Sequence, residues 1–350
     1  MIKNDIRKRD VAIDCLKGFA IFLVLWGHCI QYLSSTHYSE QPVYRIIYSF
    51  HMPLFMALVG YFASSLLNLN SFFKVFWKKF KQLIIPAITF IFLLHIAGLN
   101  PSRGIIPGLK YMVINLWFLK SAFICILLFY ISAKKPKYRK AGIVISLILS
   151  QFIILWYYQI NIMYPCFIFG YLMYEKRKMI EEYSGRLLTI SGVIFLTMLL
   201  FFDAKFWEIP SVTVDLTDSA FGEYWFKHFY KIIIGISGTL FFFTLFIVTV
   251  AQIIPDRIKA PIQSLGQKTL GIYLIQSLVV EVILARTLKF DDLDPVLFNA
   301  VVTPVIAILS LLLCVIVVKL LERTRLTSFL LLGKQSCPSQ SHTIPGNPHQ

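Results

Sequence analysis

Hydrophobic and polar positions along this chain fall in long blocks. Ten apolar runs, roughly residues 13–33, 46–68, 82–99, 111–132, 141–159, 161–175, 187–203, 229–254, 265–286 and 296–320, are separated by short polar stretches. An α-helix needs about 20 apolar residues to cross the hydrocarbon of a bilayer, and in lipid every backbone polar group must be bonded internally. The pattern therefore predicts an all-α, polytopic bundle of about ten transmembrane helices, the sixth being the shortest. An even number of spans puts both termini on one side.

The polar stretches differ in charge. Of the 34 Lys and Arg, 23 lie before the first run, after each even-numbered run, or at and beyond the end of the tenth. Only seven lie in the alternate stretches: Arg45, Arg103, Lys110, Lys205, Lys227, Arg286 and Lys289. Cationic loops stay in the cytoplasm, so both termini are expected there. The remaining four, Lys17, Lys120, Lys231 and Lys268, lie within runs. Residues 333–350 form a polar tail with three prolines, expected to be disordered.

A composition of 57% hydrophobic and 15% charged residues excludes an ordinary soluble domain. The net charge of +16 does not point to nucleic acid, because the cations sit in short blocks between apolar runs and form no stripe interleaved with aromatics. The six cysteines show no CxxC or metal-ligand spacing, so neither a disulfide nor a metal site is expected. Cys29 follows His28 directly, but adjacent helical residues point about 100° apart, which argues against a thiol acting with that histidine. The first run is longer than a signal-peptide core and lacks a small-residue cleavage pattern, so no cleavable signal is expected.

The candidate chemistry is concentrated in the first two runs. Each carries a histidine, His28 and His51, and a titratable group inside hydrocarbon points to a functional site or to a hydrogen bond between helices. Lys17 and His28 are eleven residues apart, nearly three whole turns, so they share one face about 16 Å apart along the axis. With the first helix rising and the second returning, the two imidazoles meet at one level. Lys120, in the fourth run, falls at a similar depth; it either acts there or snorkels outward. Asp14 stands one turn before Lys17 and can pair with it. Lys268, Tyr273, Gln276 and Glu281 make a polar series in the ninth run. Carboxylates and aromatics (Trp207, Glu208, Asp215, Asp218, Glu223, Tyr224, Trp225, and Asp291, Asp292, Asp294) mark two outer loops, suited to sugar rings or to an interfacial belt.

Several motifs in order complete the picture: Lys17 to His28, Ser49-Phe50-His51-Met52-Pro53-Leu54-Phe55 with Gly60-Tyr61-Phe62, Leu116-Trp117-Phe118-Leu119, and Thr269-Leu270-Gly271-Ile272-Tyr273-Leu274-Ile275. On these the chain resembles the integral-membrane acyltransferase family 3, most of all the branch named for fucose 4-O-acetylase. The resemblance covers roughly residues 10 to 330, making residues 1–332 a membrane acyltransferase domain. It implies transfer of an acetyl group from acetyl-CoA, with no permanently bound cofactor. The acceptor is a hydroxyl of a cell-surface or lipid-linked sugar, the partners are that glycan and the lipid bilayer, and the location is a bacterial inner membrane. It places donor phosphates at Lys17 and at Lys78 and Lys81, where the family usually has two arginines; a positive-inside anchor is the other reading of those lysines. His28 becomes the base or the transiently acylated group, with His51 as its partner, and Lys120 polarises the thioester or holds a carboxylate. Asp14, Trp117, Tyr273 and Gln276 are candidate substrate-binding residues; at Gln276 the family often has histidine, and an amide cannot serve as a base. A transporter or flippase of lipid-linked sugars is the alternative, although the repeated halves and matched helix breaks of transporters are not found.

Overall fold

A computed structural model describes residues 10–34, 38–99, 115–153, 158–203 and 221–334. The described residues are helical, with no strand among them. The helices are α1 (Val11–Leu33), α2 (Pro42–Tyr61), α3 (Phe72–Ile96), α4 (Trp117–Ala133), α5 (Arg139–Gln151), α6 (Ile160–Glu175), α7 (Ser184–Leu200), α8 (Phe221–Gln252), α9 (Asp256–Gly266), α10 (Thr269–Thr287), α11 (Pro295–Leu321) and α12 (Arg325–Leu332). Among the described residues, each of the ten apolar runs overlaps at least one helix. Six (α1, α2 extended to Asn68, α3, α8 from Trp225 to Val250, α10 and α11) are long and apolar enough to cross a membrane alone. The protein is an all-α, multi-pass helical bundle.

Burial separates centre from periphery. In α1, 72% of the apolar window is buried within the protein, against 28% in α3 and 33% in α11, so α1 is a core helix and the other two turn most of their surface outward. Lipid supplies no hydrophobic drive to pack helices, so close contact comes from small residues. A Cβ at Gly60 of α2 would meet the Phe167 carbonyl oxygen of α6 at 1.9 Å, and one at Gly170 of α6 would meet the Ala57 carbonyl oxygen at 1.8 Å. Two glycines facing opposite ways thus let these backbones touch.

Several boundaries differ from the hydropathy pattern for physical reasons. The third helix does not begin at residue 82 but at Phe72, because Lys74, Lys78 and Lys79 lie on exposed or half-buried faces that helical backbone tolerates. The run 265–286 is divided: α9 ends at Gly266 and α10 starts at Thr269. Inside α10, Ser277–Leu284 is wound as a π-helix. Helices α4 and α5 meet at a bend of 100°. The tail beyond Lys334 and the loop residues Trp207, Glu208, Asp215 and Asp218 lie outside the described residues.

Candidate active site

One end of the bundle holds a chamber of about 630 Å³, formed where α1 and α10 end and where α2, α4, α6 and α8 begin. His28, His51, Trp117 and Tyr273 all line it, together with Tyr32, Tyr44, Tyr48, Glu281, Lys231 and Arg286. The two histidines chosen from sequence therefore face one space.

His28 is held from behind. Its Nδ1 is 2.8 Å from Gln276 Oε1 and 3.3 Å from Glu281 Oε1. The Gln276 amide nitrogen donates to Glu281 Oε1 at 3.2 Å. A carboxylate only accepts, so this bond turns the amide oxygen toward the imidazole and places the hydrogen of the neutral ring on Nδ1. Nε2 then carries the lone pair, the arrangement required of a general base. Gln276 is completely buried. It is not among the chamber-lining residues and bonds the histidine from behind.

The π-helical segment makes this possible. On an α-helix, positions five apart diverge by about 140°, so Gln276 and Glu281 would face different ways. The i→i+5 winding of Ser277–Leu284 brings them onto one face. Glu281 appeared in the sequence only as one member of a polar series; its signal was an acid within an apolar run, and its role depended on a helical pitch that periodicity does not reveal.

His51 is buried and its Nδ1 lies 2.9 Å from the Ile47 carbonyl, with Tyr48 edge-on at 4.4 Å between ring centres. Tyr48 donates to Gln31 Oε1 at 3.0 Å and stacks on Tyr44 at 3.9 Å. Lys120 donates to the Asn115 carbonyl at 2.5 Å and is not among the residues lining the chamber, whereas Asn115 and Leu116 are. Leu116 is left-handed at φ 52°, as is Gln159 at φ 46°. Both border the chamber, and such backbone in a non-glycine residue costs about 1–3 kcal/mol, a cost that clusters at functional sites.

The basic candidates lie at the opposite end. Lys17 pairs with Asp14 at 3.2 Å and sits 4.2 Å above the Phe62 ring. On the stripe of α1 between Lys17 and His28, Ala20 and Ile21 are fully buried and Val24 forms part of the chamber wall. The chamber thus stops about two turns short of Lys17. Lys78 lines a separate cavity of about 460 Å³ with Gln82, Lys268, Glu322 and Lys334, and Lys81 is exposed. Of the outer-loop acids, Glu223 pairs with Lys227 at 2.8 Å, Asp291 accepts from Ser34 Oγ at 3.5 Å, and Asp294 caps the start of α11 through Val296 and Leu297. The five described cysteines, Cys15, Cys29, Cys125, Cys166 and Cys314, are buried free thiols.

The sequence model of one protein family, described as an acyltransferase domain, matches residues 10–319, nearly the whole bundle. This chain belongs to acyltransferase family 3. Among family relatives with curated descriptions, the nodulation protein NolL of Sinorhizobium fredii is 34% identical over 121 residues, 32% of this chain and 33% of its own length. NolL of Mesorhizobium japonicum is 34% identical over 130 residues, 34% of this chain and 35% of its own. The matches thus span about a third of those relatives. No solved structure matches the chain significantly.

Proposed function

We propose that this chain is an O-acyltransferase of a bacterial inner membrane, with cytoplasmic termini and about ten spans. It transfers an acetyl group from acetyl-CoA to a hydroxyl of a cell-surface or lipid-linked sugar. The observation that carries the reading is His28, held at Nδ1 by Gln276 and Glu281 and facing a chamber large enough for a sugar. In this reading Nε2 takes the proton of the acceptor hydroxyl as its oxygen attacks the thioester carbonyl carbon. The tetrahedral intermediate collapses with cleavage of the C–S bond, and the proton passes from His28 to the departing sulfur. The products are the O-acetylated sugar and free coenzyme A. Glu281 stabilises the imidazolium formed on the way.

His51 and Tyr273 contact the acceptor, and Trp117 offers a ring face to it. Lys120 acts through the Asn115–Leu116 turn that it bonds. At the basic end, Lys17 and the Lys78–Lys81 segment hold the donor phosphates, with Asp14 orienting Lys17. A pantetheine arm must then pass Ala20 and Ile21, so the reading requires those side chains to part when the donor binds.

Comparison of surface glycans by NMR between a strain lacking this protein and its parent tests the assignment. Loss of one O-acetyl signal, restored by the wild-type gene, is the expected result. Unchanged acetylation together with an altered amount of exported glycan would favour the transporter instead.

A further inference from the structure

The chamber also contains a cation that the mechanism above does not use. Lys231 lies on α8, six residues after the apolar window opens at Trp225 and so about 9 Å along the helix. It lines the chamber and forms no hydrogen bond or ion pair with any described residue. Packing places it there. A Cβ at Gly235, one turn further on the same face, would meet Pro53 Cγ at 2.7 Å and the Ser49 carbonyl at 3.7 Å. Helix α8 is therefore pressed against α2 at Pro53, and Lys231 emerges just above that contact into the space that Ser49 and Pro53 also line. Arg286 lines the same chamber and spends one guanidinium nitrogen on the Leu99 carbonyl at 2.9 Å. Glu281 is the one carboxylate among the described lining residues, and it is engaged with Gln276 and His28.

A lysine within an apolar helix without a counter-ion is costly, and the cost is recovered when an anion arrives. Resting on the acyltransferase reading, we propose that the acceptor carries an anionic oxygen group, a sugar carboxylate or a phosphate of a lipid-linked sugar, and that Lys231, with Arg286 nearer the mouth, binds it while a hydroxyl is presented to His28. Among the described lining residues, two cations against one occupied carboxylate give the chamber the sign this requires. A lysine rather than an arginine suits either group, since it acts as a point charge without a fixed fork.

The test is equilibrium binding to the purified full chain in nanodiscs of neutral phospholipid. The probes are a phenyl glucuronide with its methyl ester, and a short prenyl-phosphate glucose with the neutral prenyl glucoside. At least one charged probe should bind about tenfold or more tighter than its neutral counterpart, in line with a charge-assisted hydrogen bond. Salt should reduce the preference, Lys231→Gln should abolish it, and Lys231→Arg should keep it. The tighter charged probe identifies the source of the anion. Equal binding of charged and neutral probes, no binding of either charged probe, or a preference that survives Lys231→Gln overturns the proposal. His28→Asn should retain the preference. A wild-type protein that prefers the anion but transfers no acetyl group would sink the acyltransferase reading and leave the anion site standing.

Discussion

Replacing Glu281 by glutamine removes a charge while keeping the shape, and so isolates what the carboxylate contributes behind His28. The two groups are 3.3 Å apart. Unit charges at that distance, with an effective dielectric of about 20, attract by about 5 kcal/mol once the ring becomes an imidazolium. Gln276 still accepts from Nδ1 in the variant, and the chamber is partly open to water, so about half of that attraction is expected to reach the barrier. A loss of 2–3 kcal/mol corresponds to a fall in kcat of about 30- to 150-fold. The neutral amide also permits the Gln276 side chain to turn over, which would favour the wrong imidazole tautomer and deepen the loss. The assay is transfer of radiolabelled acetyl from acetyl-CoA to acceptor by purified protein in nanodiscs, with kcat separated from the KM of each substrate. A Glu281→Gln protein that inserts normally and keeps kcat within about threefold of wild type would refute the pairing as a catalytic device.

Two further outcomes follow from the geometry. Inserting one alanine after Ser277 sets Gln276 and Glu281 six positions apart, about 120° around an α-helix, and so breaks their contact; the protein should still insert, while transfer falls at least as far as in Glu281→Gln. Gly170→Val drives two branches of side chain into the Ala57 backbone, where even one Cβ would sit at 1.8 Å, so thermal unfolding in detergent should shift down by more than ordinary overpacking, about 1–3 kcal/mol, would give.

Some of this protein could be seen in its residue order. Apolar runs long enough for lipid leave few choices of structure, and among the described residues each contains helix. The stripe holding Lys17 and His28, and the level shared by His28 and His51, followed from helical pitch and from the antiparallel return of the second helix; both histidines do line one chamber. Other features lay beyond periodicity. The Gln276–Glu281 contact depends on a local change of pitch with no apolar signature. Lys231 was visible as a cation within a run, but its place in the chamber depends on how closely Gly235 lets α8 approach α2. Matching depth did not tell which way Lys120 points, because its target, the Asn115 carbonyl, is exposed by a left-handed residue at Leu116 that hydropathy does not predict.

Whether His28 is the base is decided by comparing wild-type protein and His28→Asn, both purified in nanodiscs, for transfer of radiolabelled acetyl from acetyl-CoA to glycan and for release of free coenzyme A. Asparagine can keep a bond to Gln276 but cannot accept a proton. Wild type should do both, and the variant should lose about a thousandfold or more in kcat while still inserting normally. A His28→Asn protein that transfers acetyl at an undiminished rate would contradict that role for His28.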